Sequence, residues 1–265
     1  TILLSKKGKV IPVDHRAAPI TDEAGSTSGV VLAFRDVSRQ KKTEEELIQS
    51  YDRLKQAMDG TVQAMAYTIE TRDPYTAGHQ HRVALLAMGI GRKLGLSANT
   101  IEVINVAGLL HDTGKIAVPV ELLVKPASLT PLEMDLMKVH PQASYDIIKD
   151  IPFVESLGKD VSILVLTHHE HLDGSGYPGG LMGAQLEQEA KILCVSDVIE
   201  AMSSHRPYRP ALDMISAKQE IISKKGKIYC PECVEACLEL IEESGNDARR
   251  LFSFLAKEAG KEIRE

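Results

Sequence analysis

His111 and Asp112 stand just beyond residues 101–107, where Ile101, Val103, Ile104, Val106 and Ala107 put apolar groups on nearly every side of a helix. An imidazole and a carboxylate delivered into a protein interior need a partner there, because unpaired buried ionisable groups cost several kcal/mol or change protonation. A metal ion suits both. The pattern recurs: the apolar run 161–166 delivers Thr167, His168, His169 and Glu170, and the run 191–195 delivers Ser196 and Asp197. Upstream, Asp73 and His79 lie between two helical stretches, and His140 sits in a break before Pro141. These residues read as one site.

The residues that could ligate are His79, His111, Asp112, His140, His168, His169 and Asp197. They exceed what one tetrahedral zinc ion takes but suit two neighbouring ions of higher coordination with water between them. Asp112 is the natural bridge, since one carboxylate can give an oxygen to each ion. His79, His111, Asp112 and Asp197 are therefore assigned to one ion, and His140, His168 and His169 with the shared Asp112 to the other. Two ions about 3.5–4 Å apart suit in-line attack on a phosphate ester, because they turn a bridging water into hydroxide and clamp the phosphoryl oxygens. Lys115, one turn beyond His111, can bring its ammonium to the phosphate or the leaving oxygen, with Asp73 positioning it. Mixed imidazole and carboxylate ligation fits divalent iron or manganese first, and nickel, cobalt or zinc as well. His15, His81, His171 and His205 lack such company and read as ordinary hydrogen-bonded residues.

The elements that must position these groups belong to a chain of 265 residues, 43% of them apolar, enough for one substantial core with smaller appendages. A net charge of −6 excludes a general DNA or RNA binder, which would show a basic face. Neither a signal peptide nor a long apolar span is apparent, and a chain opening on Thr1 reads as a piece of a larger protein. The expected location is the cytoplasm, with the preceding part available to tether the protein to the inner membrane. Cys194, Cys230, Cys233 and Cys237 do not make a secreted disulfide framework. Cys230, Cys233 and Cys237 could form a thiolate metal site, but no fourth ligand is evident and apolar packing is the favoured reading.

Residues 1–37 read as strands, with β-rich runs at 9–13 and 29–34 separated by turn-forming residues 21–25, a hairpin of longer strands. From Ser38 a long polar helix begins, in which Glu44, Leu47, Tyr51, Leu54, Met58, Thr61 and Met65 are spaced by threes and fours. That period of about 3.5 favours a coiled coil, hence a homodimer through residues 38–65, over a lone amphipathic helix. Residues 62–243 read as helical throughout, with helices expected over 76–94, 99–110, 131–139, 142–149, 161–169, 188–203, 211–224 and 231–242. One more helix is expected over 246–265, with Leu251, Phe254 and Leu255 inward.

The stretch from His111 to Lys115 resembles the signature of the HD phosphohydrolase superfamily, and His168 through Pro178, with Gly176-Tyr177-Pro178, resembles the second signature of its HD-GYP branch. The match extends from about Glu70 to Glu242 and takes in Asp73, His79, His140, Asp197 and the run Arg206-Pro207-Tyr208-Arg209. The resemblance implies an all-helical fold and metal-dependent hydrolysis of cyclic dinucleotides, chiefly cyclic di-GMP, to linear pGpG or GMP. It also implies that Gly176, Tyr177 and Pro178 form a substrate loop, that Arg206, Tyr208 and Arg209 contact the substrate phosphate and base, and it leaves room for a diguanylate cyclase as a partner. Some relatives hold a third metal with a Glu four residues before the first His ligand. Tyr75 stands there, so two metals are expected. Residues 1–37 resemble the last strands of a PAS sensor domain, through residues 8–13, 18–22 and 29–42.

The expected architecture is mainly α: a partial PAS segment 1–37, a signalling helix 38–61, an HD-GYP domain 62–243 and a C-terminal helix 244–265. The competing readings are another HD-type nucleotide phosphohydrolase and a non-catalytic cyclic dinucleotide receptor or protein-interaction module.

Overall fold

Helix starts in this chain are set by capping residues, and the computed structural model shows them at work. It describes residues 1–6, 8–23, 25–72, 77–151, 160–204 and 212–260. Ser97, Thr130, Asp160, Asp213 and Asp247 each accept a hydrogen bond from a backbone N–H of the helix that follows, satisfying donors that a first turn leaves without partners.

The chain divides into two compact units, Thr1–Asp59 and Gly60–Glu265. The first contains an antiparallel sheet in the order β1 (Ile2–Leu4), β2 (Val10–Thr21), β3 (Thr27–Asp36). The hairpin forms about the expected turn, where Asp22 Oδ1 accepts the Ser26 N–H at 2.8 Å. Its strands are longer than the β-rich runs, with His15 opposite Phe34 and Pro19 opposite Val30. Pro19 is tolerated because β1 pairs only with residues 10–12 of β2, so the missing N–H falls on an edge.

Helix α1 (Ser38–Arg72) follows. In its part belonging to the second unit, Val62, Ala66 and Ile69 are buried. Among the described residues the remaining α-helices are α2 (His79–Lys93), α3 (Ala98–Leu110), α4 (Val120–Leu123), α5 (Pro131–Met137), α6 (His140–Ile148), α7 (Val161–Thr167), α8 (Gln188–Ser203), α9 (Met214–Ser223), α10 (Pro231–Glu243) and α11 (Ala248–Glu258). Helix α2 packs against α3, α8, α10 and α11, and the fully buried Leu86, Ile90, Ile104, Ile192, Leu240 and Leu255 belong to one core. The fold is mostly helical with a small N-terminal sheet, as expected. Among the described residues, no helix is long and apolar enough to cross a membrane.

Two helix boundaries at the site and one inward face differ from the sequence pattern. Helix α6 begins at His140 itself, because Pro141 fits a first turn whose N–H groups have no intrahelical partner. Helix α7 ends at Thr167, so His168 caps it and His169 lies beyond. Helix α11 buries Phe252 with Leu251 and Leu255, while Phe254 is only partly buried.

Leu86 is fully buried at the centre of this packing. Leu86→Ala is expected to lower the free energy of unfolding by about 2–5 kcal/mol in urea titrations. Leu132→Ala, at a position 73% exposed, is expected to stay within about 0.5 kcal/mol.

Candidate metal centre

Helix C-termini leave carbonyl groups without intrahelical partners, and this protein uses them to orient imidazoles. His111 Nδ1 donates to the Gly108 carbonyl at 2.8 Å, His140 Nδ1 to Met137 at 2.8 Å and His168 Nδ1 to Val165 at 2.6 Å. A carbonyl only accepts, so each ring carries its proton on Nδ1 and presents an Nε2 lone pair. His79 turns its Nδ1 to the Glu200 carboxylate instead. The Nε2 atoms of His79 and His111 are buried with no hydrogen-bond partner. Those of His140 and His168 face each other at 3.4 Å, two lone pairs that only a cation or proton would reconcile.

Asp112 lies among these rings. Its Oδ2 is 3.5 Å from His79 Nε2 and 3.4 Å from His111 Nε2, while its Oδ1 is 3.4 Å from His140 Nε2. Two ligand-type groups result: His79, His111 and Asp112 in one, His140, His168 and His169 in the other. Asp197 places Oδ1 3.3 Å from His79 Nε2 and Oδ2 4.0 Å from His169 Nδ1, so it faces both groups rather than the first alone. Lys115 Nζ donates to Asp112 Oδ2 at 2.6 Å.

The turn carrying Asp112 and Lys115 is held against α6. Gly114 N donates to Ser144 Oγ at 2.6 Å, and Ser144 Oγ donates to the His111 carbonyl at 2.9 Å. A Cβ on Gly114 would come within 2.1 Å of the His140 carbonyl oxygen. The glycine is what allows this approach.

The second motif folds back on its own start. Tyr177 N donates to the His169 carbonyl at 3.1 Å. Glu170 receives Gly179 N at 2.6 Å and Leu181 N at 2.9 Å on its two carboxylate oxygens. Gly176 packs where a Cβ would meet the Glu170 backbone at 2.4 Å. Tyr177, joined to Pro178 by a cis peptide bond, is thereby laid over His169 with ring centres 4.7 Å apart.

A family model described as HD domain matches residues 63–233. The chain belongs to the HD domain family. It is 37% identical over 202 residues to the cyclic di-GMP phosphodiesterase response regulator RpfG of Xanthomonas campestris pv. campestris, covering 76% of this chain and 52% of that protein. It is also 37% identical over 212 residues to a cyclic di-GMP phosphodiesterase of Thermotoga maritima, covering 79% of this chain and 56% of the other. The chain thus spans about half the length of these curated relatives. A solved structure of a cyclic GMP-AMP-specific phosphodiesterase of Vibrio cholerae aligns with a TM-score of 0.54 at 17% identity, over 74% of this chain and 50% of that one, which shows a shared fold.

The electrostatics of this HD domain suit a cation. Burial pushes the His140 and His169 imidazoles down, to about 4 and about 3, and holds His168 well below its usual value too. These rings are neutral near pH 7, the form that ligates metal. Burial opposes charge on Asp112 and Asp197 too, but Lys115 and imidazoles around Asp112, and the His79, His111 and His169 imidazoles around Asp197, outweigh it and hold both carboxyls well below the usual range. At His79 burial is outweighed by the Glu200, Asp112 and Asp197 carboxylates, which raise it to about 10. Positive charge is favoured where the two carboxylates converge.

Two residues outside the expected set complete the centre. Glu200, fully buried, also takes Arg82 Nε at 2.7 Å and Ser204 Oγ at 2.6 Å. Its spacing of three residues from Asp197 on α8 was the available signal, since i and i+3 share a helix face. Glu170 follows the His168-His169 pair, and only the folded loop shows what it binds. Asp73, Tyr75, Arg206, Tyr208 and Arg209 lie outside the described residues.

Gly114→Ala is expected to destabilise the helical unit by about 1–3 kcal/mol in urea unfolding, as overpacking against backbone does. Gly60→Ala, on an exposed stretch of α1 where a Cβ meets nothing within 4 Å, is expected to stabilise by up to about 1 kcal/mol.

Proposed function

We propose that this HD domain is of the HD-GYP type and hydrolyses cyclic di-GMP to linear pGpG or GMP with two divalent ions, iron or manganese in preference to nickel, cobalt or zinc. The observation that carries the reading is the Asp112 carboxylate, which turns one oxygen to His79 and His111 and the other to His140. A carboxylate so placed is the donor a two-ion site shares. His79, His111, Asp112 and Asp197 would hold one ion, and His140, His168, His169 and Asp112 the other, with Asp197 close enough to His169 to contribute on both sides. When bound, such ions activate water and offset the charge of a phosphate diester.

The protein's own groups do the rest. Lys115, held on Asp112, stands at the edge of the centre and offers an ammonium to the phosphoryl or leaving oxygen as charge develops there. Asp73 remains proposed as its positioning partner, beside the Asp112 pairing that the geometry supplies. Gly176, Tyr177 and Pro178 form the substrate loop. Burial first, then Asp197 and Asp112, push the Tyr177 hydroxyl up, so it stays protonated and can donate to a phosphate oxygen. Arg206, Tyr208 and Arg209 are assigned to the substrate phosphate and base by the family pattern.

The same reading covers the first unit. Residues 1–37 are proposed as the end of a PAS-like sensor and α1 as a parallel dimer helix in a cytoplasmic protein, with a diguanylate cyclase as a further partner. The support is the seam itself: Leu47, Tyr51 and Leu54 are 69%, 66% and 61% exposed on α1.

Protein purified without oxygen is expected to hold about two ions per chain and to hydrolyse cyclic di-GMP, with Asp112→Ala losing both. Lys115→Gln is expected to keep the metal but to lose about 100- to 1,000-fold in kcat. Full metal content with tight cyclic di-GMP binding and no hydrolysis under any metal would instead establish a receptor. Leu54→Asp is expected to shift the sedimentation mass from dimer to monomer and to change the hydrolysis rate. An unchanged mass and rate would remove the dimer helix from the proposal.

A further inference from the structure

The Cys230-Pro-Glu-Cys233 stretch is not used by the metal centre. Cys230 is the N-cap of α10 and Cys233 the third residue inside it. Those two positions face each other across the first turn, where in a capping box each side chain reaches the other residue's backbone N–H. The two thiols bias each other's protonation, Cys233 lowering Cys230 and Cys230 raising Cys233. The Gln188 amide at the start of α8 lies 4.0 Å from Cys230 Sγ and 3.4 Å from Cys233 Sγ, and Glu232 Oε2 lies 3.0 Å from Cys230 Sγ. Among the described residues, these sulfurs join no group of three ligand atoms close enough to hold a metal ion.

We propose that Cys230 and Cys233 form a redox-active dithiol, closed by hydrogen peroxide to an intrahelical disulfide, in which Cys230 attacks and Cys233 resolves. The division of labour follows from position. Cys230 keeps 6% of its surface and sits at the helix start, whereas Cys233 is fully covered inside the first turn. The neighbouring Cys233 lowers the Cys230 thiol to about 7, while burial pushes Cys194 and Cys237 up to about 12. A thiolate at a helix N-terminus with a second thiol in reach is the arrangement in which peroxide oxidation is selective.

The Cys230 thiol releases its proton to water, the thiolate sulfur attacks one peroxide oxygen, an S–O bond forms, the O–O bond breaks, and the departing hydroxide takes up a proton and leaves as water. Cys233 then attacks the Cys230 sulfur. An S–S bond forms, the S–O bond breaks, and the Cys233 proton leaves with the hydroxide as a second water. Two thiols are oxidised and one peroxide is reduced.

The test uses the whole chain with its metals in place, treated with hydrogen peroxide near pH 7. Peptide mapping is expected to show a loss of two hydrogens confined to the peptide joining Cys230 and Cys233, reversed by dithiothreitol, with Cys194 and Cys237 still free. In Cys233→Ser the expected product is a sulfenic acid at Cys230, trapped by dimedone. Cys230→Ser should leave Cys233 unreacted. Iodoacetamide labelling of the native wild type supplies an arm independent of the variants' folding, with Cys230 expected to react at least tenfold faster than Cys194 or Cys237. The idea is overturned if no disulfide forms, if all four cysteines oxidise alike, if the adduct falls on Cys233, or if the sulfurs release stoichiometric zinc on oxidation.

Discussion

The Asp112 carboxylate, 2% exposed and ringed by imidazoles, sets the constraint around which the helical unit is built. A charge in that position is stable only with positive partners on every side. Lys115 meets one oxygen directly, and the rings turn nitrogens toward the remaining lone pairs. The neutral imidazoles cannot balance the charge of Asp112 and Asp197 by themselves. The centre is therefore shaped for cations.

That shape depends on helix ends. His111 and His168 cap α3 and α7, and His140 follows the last residues of α5 to open α6. In each case the ring proton goes to the carbonyl three residues earlier, a group the helix leaves free as it ends. One hydrogen bond thus terminates a helix, selects a tautomer and aims an Nε2 atom. Backbone partners of this kind orient ligands as outer-layer residues do in metal sites generally. The close contact of Gly114 with α6 then brings the α3 end and His140 into one place.

Farther out, carboxylates do a different job. Glu200 ties His79 on α2 to α8 and is itself held by Arg82 and Ser204. Glu170 gathers two backbone N–H groups of the glycine loop, which keeps Tyr177 against His169 in place of swinging into solvent. Helix α8 consequently has two chemical ends. Asp197 and Glu200 serve the metal centre, while Gln188 at its start meets the Cys230–Cys233 pair.

Much of this was legible in the chain itself. The buried-all-round helix before His111, the apolar runs ahead of His168 and Asp197, and the helices between Pro and Gly breaks follow from local pattern, because periodicity and ligand chemistry are properties of short segments. Of the residues assigned from type and spacing, the fold gathers His79, His111 and Asp112 into one group and His140, His168 and His169 into another. Asp197 is the partial exception, since only the approach of α7 to α8 shows that its second oxygen faces His169. The roles of Glu200, Glu170 and Ser144 were hidden for the same reason: each acts on a backbone or side chain distant in sequence, or in a loop whose path glycine alone permits. Cys230 and Cys233 read as packing residues because cysteine behaves as a small hydrophobe in a pattern, and only the helix start places one sulfur against the other. Sequence determined which groups would be buried with ligand chemistry. Tertiary structure decided which atoms of those groups face one another, because orientation is set by hydrogen bonds between segments that spacing does not connect.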